Sequence, residues 1–399
     1  MPPPSPDSPR GPARGKRAAE RPPSRLRRRQ GAERDRASAP PGAAVEPVEP
    51  VEPVEVTSPG TVAPEGPRPV LLLFWFVVLL LGAAALGVSA VAGLRVHEPA
   101  VDGFDRLPGW LDGAGAVAVV TALSWLLATR TAGRAMISAG LALVLGVASI
   151  VVGGRVLPTG AAVLTCVLGS VYAVMVTVPA VTWLKAVRET LVATSVAAVT
   201  AFAAIGFEPT VAAERFDIAA LLLALALVFT IVYRLGAGLH GLGQRGLFIV
   251  AIGLAVLVAT LAYAELLRRY GAQTFVSSVL DFADATTERI GAFPRPLVVL
   301  LGIPAIVWGT HVRARRRQGW WVCAFGVAAT VPIASGLMSS GGSYVEAGLR
   351  VAYSLVLGLV LGYLVIRVDL ALTGPKGRRG RRAEEAGPHR PEPSRFAEL

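Results

Sequence analysis

The chain contains no asparagine, and its 39 basic residues include only three lysines: Lys16, Lys185 and Lys376. Asn and Lys have AT-rich codons, whereas the abundant Ala, Gly, Arg and Pro have GC-rich ones. This bias implies a high-GC bacterial genome and hence the bacterial plasma membrane as the site; it carries no information about activity. Cysteine is nearly absent as well. Cys166 and Cys323 both fall in apolar runs with no CxxC or Cys/His spacing, which excludes a disulfide framework and a thiolate metal site. Both read as small packing residues.

Charge is the third scarcity. Only 17% of the 399 residues are charged while 53% are hydrophobic, against roughly a quarter charged in a soluble domain. The deficit lies in the middle, where no acid, base or histidine falls near the centre of any apolar run. A charge there costs roughly 3 kcal/mol on insertion scales, and such residues usually mark ion or proton pathways. A pump with a charged midplane site is therefore disfavoured; a facilitator, or a site built of hydroxyls and backbone, is not.

What is present fits an all-α fold, a polytopic bundle of about ten transmembrane helices between two polar tails. The domain reading is 1–68, 69–369 and 370–399. Apolar runs occur at 70–94, 114–129, 135–154, 160–183, 190–207, 218–233, 247–266, 296–312, 320–338 and 347–367. Each is long enough, with short flanking turns, to cross a core of about 30 Å at about 1.5 Å per residue. The second and fifth are short and Ala-rich, and the count rests most heavily on them. The first run begins behind a long polar tail and spans fully, so it reads as a retained helix rather than a signal peptide.

The expected orientation has both termini in the cytoplasm. Inner loops then hold ten Lys and Arg against the single acid Glu189, while longer outer loops hold eight. Basic density in short loops is what sets orientation. The C-terminal run GPKGRRGRR also falls inside, as an even number of spans requires.

The tails are low in large apolar side chains and are expected to be disordered. Residues 45–56 read VEPVEPVEPVEV, a pattern for a stiff polyproline-II spacer. Twelve basic residues lie in the first 68 positions and eight from Arg367 onward. The pI is near 10.6, yet this placement points to anionic lipid headgroups rather than to nucleic acid.

Few residues carry a chemical suggestion. His97, Glu98, Asp102 and Asp105, with Arg106 and Asp112, form an outer-loop cluster that suits a divalent metal or a lipid phosphate. They lie on one stretch containing Pro99 and Gly103, which disfavours convergent ligands. Glu265, Glu346 and Arg350 sit at the outer rims of spans. The last two are four apart, placed to pair on one helix face, and rim charges more often snorkel to water than act as a gate. Gly358 and Gly362 form GxxxG, which fits bundle packing or dimerisation. Pro179, Pro304 and Pro332 are expected to kink spans four, eight and nine. Residues 236–241 match GxGxxG but lack the strand and helix of a dinucleotide site. Within the outer segment 266–296, Phe275, Val279, Phe282, Ala283, Thr286 and Ile290 recur at helical spacing opposite Asp281, Asp284 and Glu288, the pattern of a helix lying on the membrane surface or capping the bundle.

No cofactor or metal is expected. The expected partners are the bilayer, anionic headgroups on the basic tails and a membrane protein. The favoured reading is a non-enzymatic accessory or scaffold component of the cell envelope. A transporter or flippase for a small or lipid-linked substrate is the alternative, because ten spans with both ends inside allow two five-helix halves of inverted topology, although no clear internal repeat is visible. A membrane transferase or hydrolase using the outer-loop acids comes third.

Overall fold

The computed structural model describes residues 69–95, 108, 110–235, 266, 273–315, 320–339, 344–373 and 395–396. All belong to the unit Ala63–Leu399; the unit Met1–Val62 lies outside them. Among the described residues the chain is all-helical, without strands. Ten α-helices follow in order: α1 (Pro69–Arg95), α2 (Leu111–Arg130), α3 (Ala135–Val152), α4 (Val156–Met175), α5 (Trp183–Ile205), α6 (Ala213–Arg234), α7 (Gln273–Ile290), α8 (Ile303–Arg315), α9 (Trp320–Ala334) and α10 (Tyr344–Thr373).

Seven of these, α1 to α6 and α10, are long and apolar enough to cross a bilayer. Two shorter apolar helical segments, Val298–Ala314 and Val322–Ala334, lie where the eighth and ninth spans are expected and fall short of the length of the other seven. The seventh expected span, 247–266, lies outside the described residues apart from Leu266. The helix α7, expected from its amphipathic spacing, forms over Gln273–Ile290. The weak second and fifth apolar runs both form full helices, of 20 and 23 residues.

Burial is distributed as a membrane solvent allows. Only 11% of the most apolar stretch of α1 is buried, against 78% for α2. Leu73, Phe74, Leu80 and Leu81 on α1 stay exposed. A face of that size in contact with water would be strongly unfavourable, so these side chains fit a lipid solvent. The helix α2 is the core of one half, packed by α1, α3, α4 and α5, while α9 packs against α4, α5, α6 and α8.

Small residues let these helices approach. A Cβ added to Gly169 on α4 would lie 2.0 Å from Thr200 Oγ1 on α5. One added to Gly358 on α10 would lie 2.5 Å from Ile303 Cβ, and one at Gly362 would lie 2.8 Å from Val307 Cβ. The GxxxG face is thus covered by α8 within the bundle, in the close backbone approach that small residues permit.

Helix ends depart from the expected boundaries in an informative way. The helix α4 stops at Met175 rather than near 183, and α5 begins at Trp183 rather than 190. Pro179 therefore kinks no helix; it lies in a non-helical stretch, 176–182. Thr182 caps α5 by accepting from the Lys185 N–H at 3.4 Å. Near Pro304 the chain forms a π-turn over Val298–Gly302, and the Ile303 N–H reaches back five residues to the Val298 carbonyl. A proline lacks the N–H that a regular helix needs, and a π-turn is one way to absorb that interruption. Pro332 lies inside α9, two residues before its end. The final helix runs to Thr373, past the expected tail boundary at 370.

Candidate functional site

One end of the bundle gathers the start of α1, the ends of α2, α4, α8 and α10, and the starts of α3, α5 and α9. We call it the tail end. Its centre is the non-helical stretch after α4, whose residues Val176, Thr177, Val178, Pro179 and Ala180 are all buried. Backbone polar groups buried outside regular structure must find partners, or each costs about 1–3 kcal/mol.

Here backbone carbonyls of α4 and α8 serve some of these groups, and charged or polar side chains serve the others. The Val178 N–H donates to Glu189 Oε2 at 3.0 Å. The Met175 carbonyl accepts from Arg130 Nε at 3.1 Å, and the Val176 carbonyl accepts from Arg395 at 3.3 Å. The Ala180 N–H donates to the Thr310 carbonyl at 2.9 Å. The Ala180 carbonyl lies 3.2 Å from His311 Nδ1; a carbonyl only accepts, so Nδ1 carries the proton. Arg313 donates to the Thr177 hydroxyl, which itself donates to the Val174 carbonyl at 2.6 Å.

Glu189 is the organising charge. It is 0% exposed, on the second turn of α5. Its Oε1 is 2.9 Å from Arg188 and 2.7 Å from Arg395. Arg188 is 55% exposed and water screens it, whereas Arg395 is 23% exposed. A buried carboxylate is tolerated only when paired and hydrogen-bonded, and Glu189 has both kinds of partner. Arg395 comes from the far C-terminal segment, and beside it the Phe396 ring meets Phe76 of α1 edge-on, centroids 6.5 Å apart. The arrangement can fix an irregular backbone inside an apolar bundle and bind a guanidinium.

Most of this site escaped the sequence reading. Glu189 was counted as a loop acid; it is instead a buried helical residue. Arg130 and Arg313, counted as loop bases, are helix-end residues turned into the bundle, and Arg130 is 2% exposed. His311 and Arg395 drew no attention. A legible signal did exist: Phe396 is the sole aromatic residue after Tyr363.

The predicted site residues are placed as follows. His97, Glu98, Asp102, Asp105 and Glu265 lie outside the described residues. Glu346 and Arg350 pair on the first turns of α10, at the end opposite the tail end. Close by, Arg295 donates from Nη1 to the Pro332 carbonyl at 2.6 Å, and its backbone N–H donates to Ser354 Oγ at 3.1 Å. Burial pushes the Arg295 guanidinium below its usual pKa; Asp217 opposes that shift and Arg350 adds to it. Thr194, Arg295, Pro332, Arg350 and Ser354 border a cavity of about 20 Å³, room for one water. Among the described residues, no group of three His, Cys, Asp or Glu side chains converges as metal ligands do.

No protein-family model, curated protein or solved structure matches the chain.

Proposed function

We propose that the chain is a multi-pass protein of a bacterial plasma membrane, with both termini cytoplasmic, acting as a non-enzymatic accessory or scaffold component of the cell envelope. The observation that carries this reading is the way the tail-end charges are used. Glu189, Arg313 and His311 bond the chain's own non-helical stretch, Arg130 bonds the last carbonyl of α4, and Glu189 also pairs with Arg395, a use that builds a fixed surface. The basic residues flanking the bundle suit anionic headgroups on the same side, and the long tails suit recruitment of a membrane protein partner.

Extraction from the native host into nanodiscs, followed by mass spectrometry, tests this. A stoichiometric protein partner is expected; a chain that copurifies with none contradicts the proposal. The orientation is tested separately by reporter fusions at each terminus, both of which are expected to report from the cytoplasm.

One observation favours a transporter or flippase as second reading. The stretch between α4 and α5 is non-helical yet mostly buried, a π-turn precedes α8, and Pro332 lies inside α9. Non-helical backbone buried among helices is the device with which transporters build substrate sites. Uptake of envelope precursors into vesicles containing the pure protein would establish it, and silence across small and lipid-linked candidates would remove it.

A further inference from the structure

The charge arithmetic at Glu189 singles out its partner. A fully buried carboxylate needs a guanidinium held out of water, and the local candidate, Arg188, is more than half exposed. Arg395 meets that need from outside the bundle, with contacts of three kinds: an ion pair to Glu189 at 2.7 Å, a hydrogen bond to the Val176 carbonyl at 3.3 Å and, through Phe396, an edge-on ring contact with Phe76.

We propose that Glu189, the Val176 carbonyl and Phe76 form a docking socket for the C-terminal end of this same chain, with Arg395 as its plug and Phe396 as its clasp. The proposal goes beyond the scaffold reading, because it assigns an intramolecular partner and a two-position device to the tail end. With Arg395 seated, the latch is closed over the non-helical stretch. With Arg395 withdrawn, Glu189 keeps the Val178 N–H and the water-exposed Arg188.

Chain length permits the closure. From the end of α10 at Thr373 to Arg395 there are 21 intervening residues, 374 to 394. At about 3.3 Å each they reach up to roughly 70 Å, more than the width of a ten-helix bundle end requires. Tethering also raises the effective concentration of the plug to the millimolar range, so a small contact suffices to keep it seated.

The test is cross-linking in the full chain in nanodiscs. Leu73→Cys, one helical turn from Phe76, and Ala397→Cys, next to Phe396, are combined so that both rings stay in place, and the chain is treated with a short bismaleimide; the native Cys166 and Cys323 are buried and do not compete. The linked peptide is expected in high yield. It should fall at least about fivefold on adding Arg395→Ala, as loss of a charged hydrogen bond implies, and to a similar degree with Glu189→Gln. Because Glu189→Gln risks misfolding, Arg395→Ala, on the tail, decides the matter. Moving the second cysteine to Glu385→Cys should also lower the yield. A yield unchanged by Arg395→Ala overturns the proposal. So does linkage found only between differently tagged copies, since the plug would then belong to a second chain.

Discussion

The two ends of the bundle use charge differently, although Arg295 at the far end also reaches a backbone carbonyl, that of Pro332. At the tail end, Glu189, Arg130 and His311 are almost fully buried, and they bond backbone groups that no helix satisfies. At the other end, Glu346 and Arg350 pair with each other along one helix face and remain partly exposed. The difference is one of necessity. Charges that serve a buried irregular backbone replace hydrogen bonds that nothing else supplies, whereas a rim pair exchanges water for a partner at little gain.

Removing the organising charge should have the largest effect. Glu189→Ala strips the acceptor from the Val178 N–H and leaves Arg395 facing an apolar hole. A loss of about 3–5 kcal/mol is expected, read as a sharp fall in the denaturation midpoint of the purified protein. Glu189→Gln keeps an acceptor oxygen and should recover part of that loss.

Packing glycines come next. Gly358→Ala sets a methyl against Ile303 of α8, and overpacking of this kind costs about 1–3 kcal/mol. If GxxxG serves dimerisation instead, the variant would change oligomeric state in sizing experiments while leaving monomer stability intact. Arg295→Gln, which loses the bond to the Pro332 carbonyl, should cost about 1–2 kcal/mol. Glu346→Gln should cost under about 1 kcal/mol. Equal effects from Glu189→Ala and Glu346→Gln would erase the contrast between the ends.

How far the sequence reaches is explained by the same contrast. Hydropathy reports the solvent a segment prefers, so the apolar helices were legible, including the Ala-rich α2 and α5. It does not report whether an apolar segment is helical. Residues 176–182 read VTVPAVT, apolar enough to merge with span four, and the break after Met175 was hidden. The clues were Pro179, which lacks an N–H, and Thr182, a capping residue three positions before Lys185. Glu189 was misplaced for the related reason that a charge was taken to mark the end of a span. Burial of that charge depends on the Val178 N–H of the hidden non-helical stretch and on Arg395 of the far C-terminal segment, 206 residues away. No local pattern encodes such a distance.

The most direct test of the account is hydrogen exchange over 176–182 in nanodiscs, read by mass spectrometry. If side chains hold this stretch, its amides should exchange as slowly as those of α4 and α5, and Glu189→Ala should speed them selectively. Rapid exchange in the unmodified protein, or protection indifferent to Glu189, would show that the tail-end charges do not hold the chain together there.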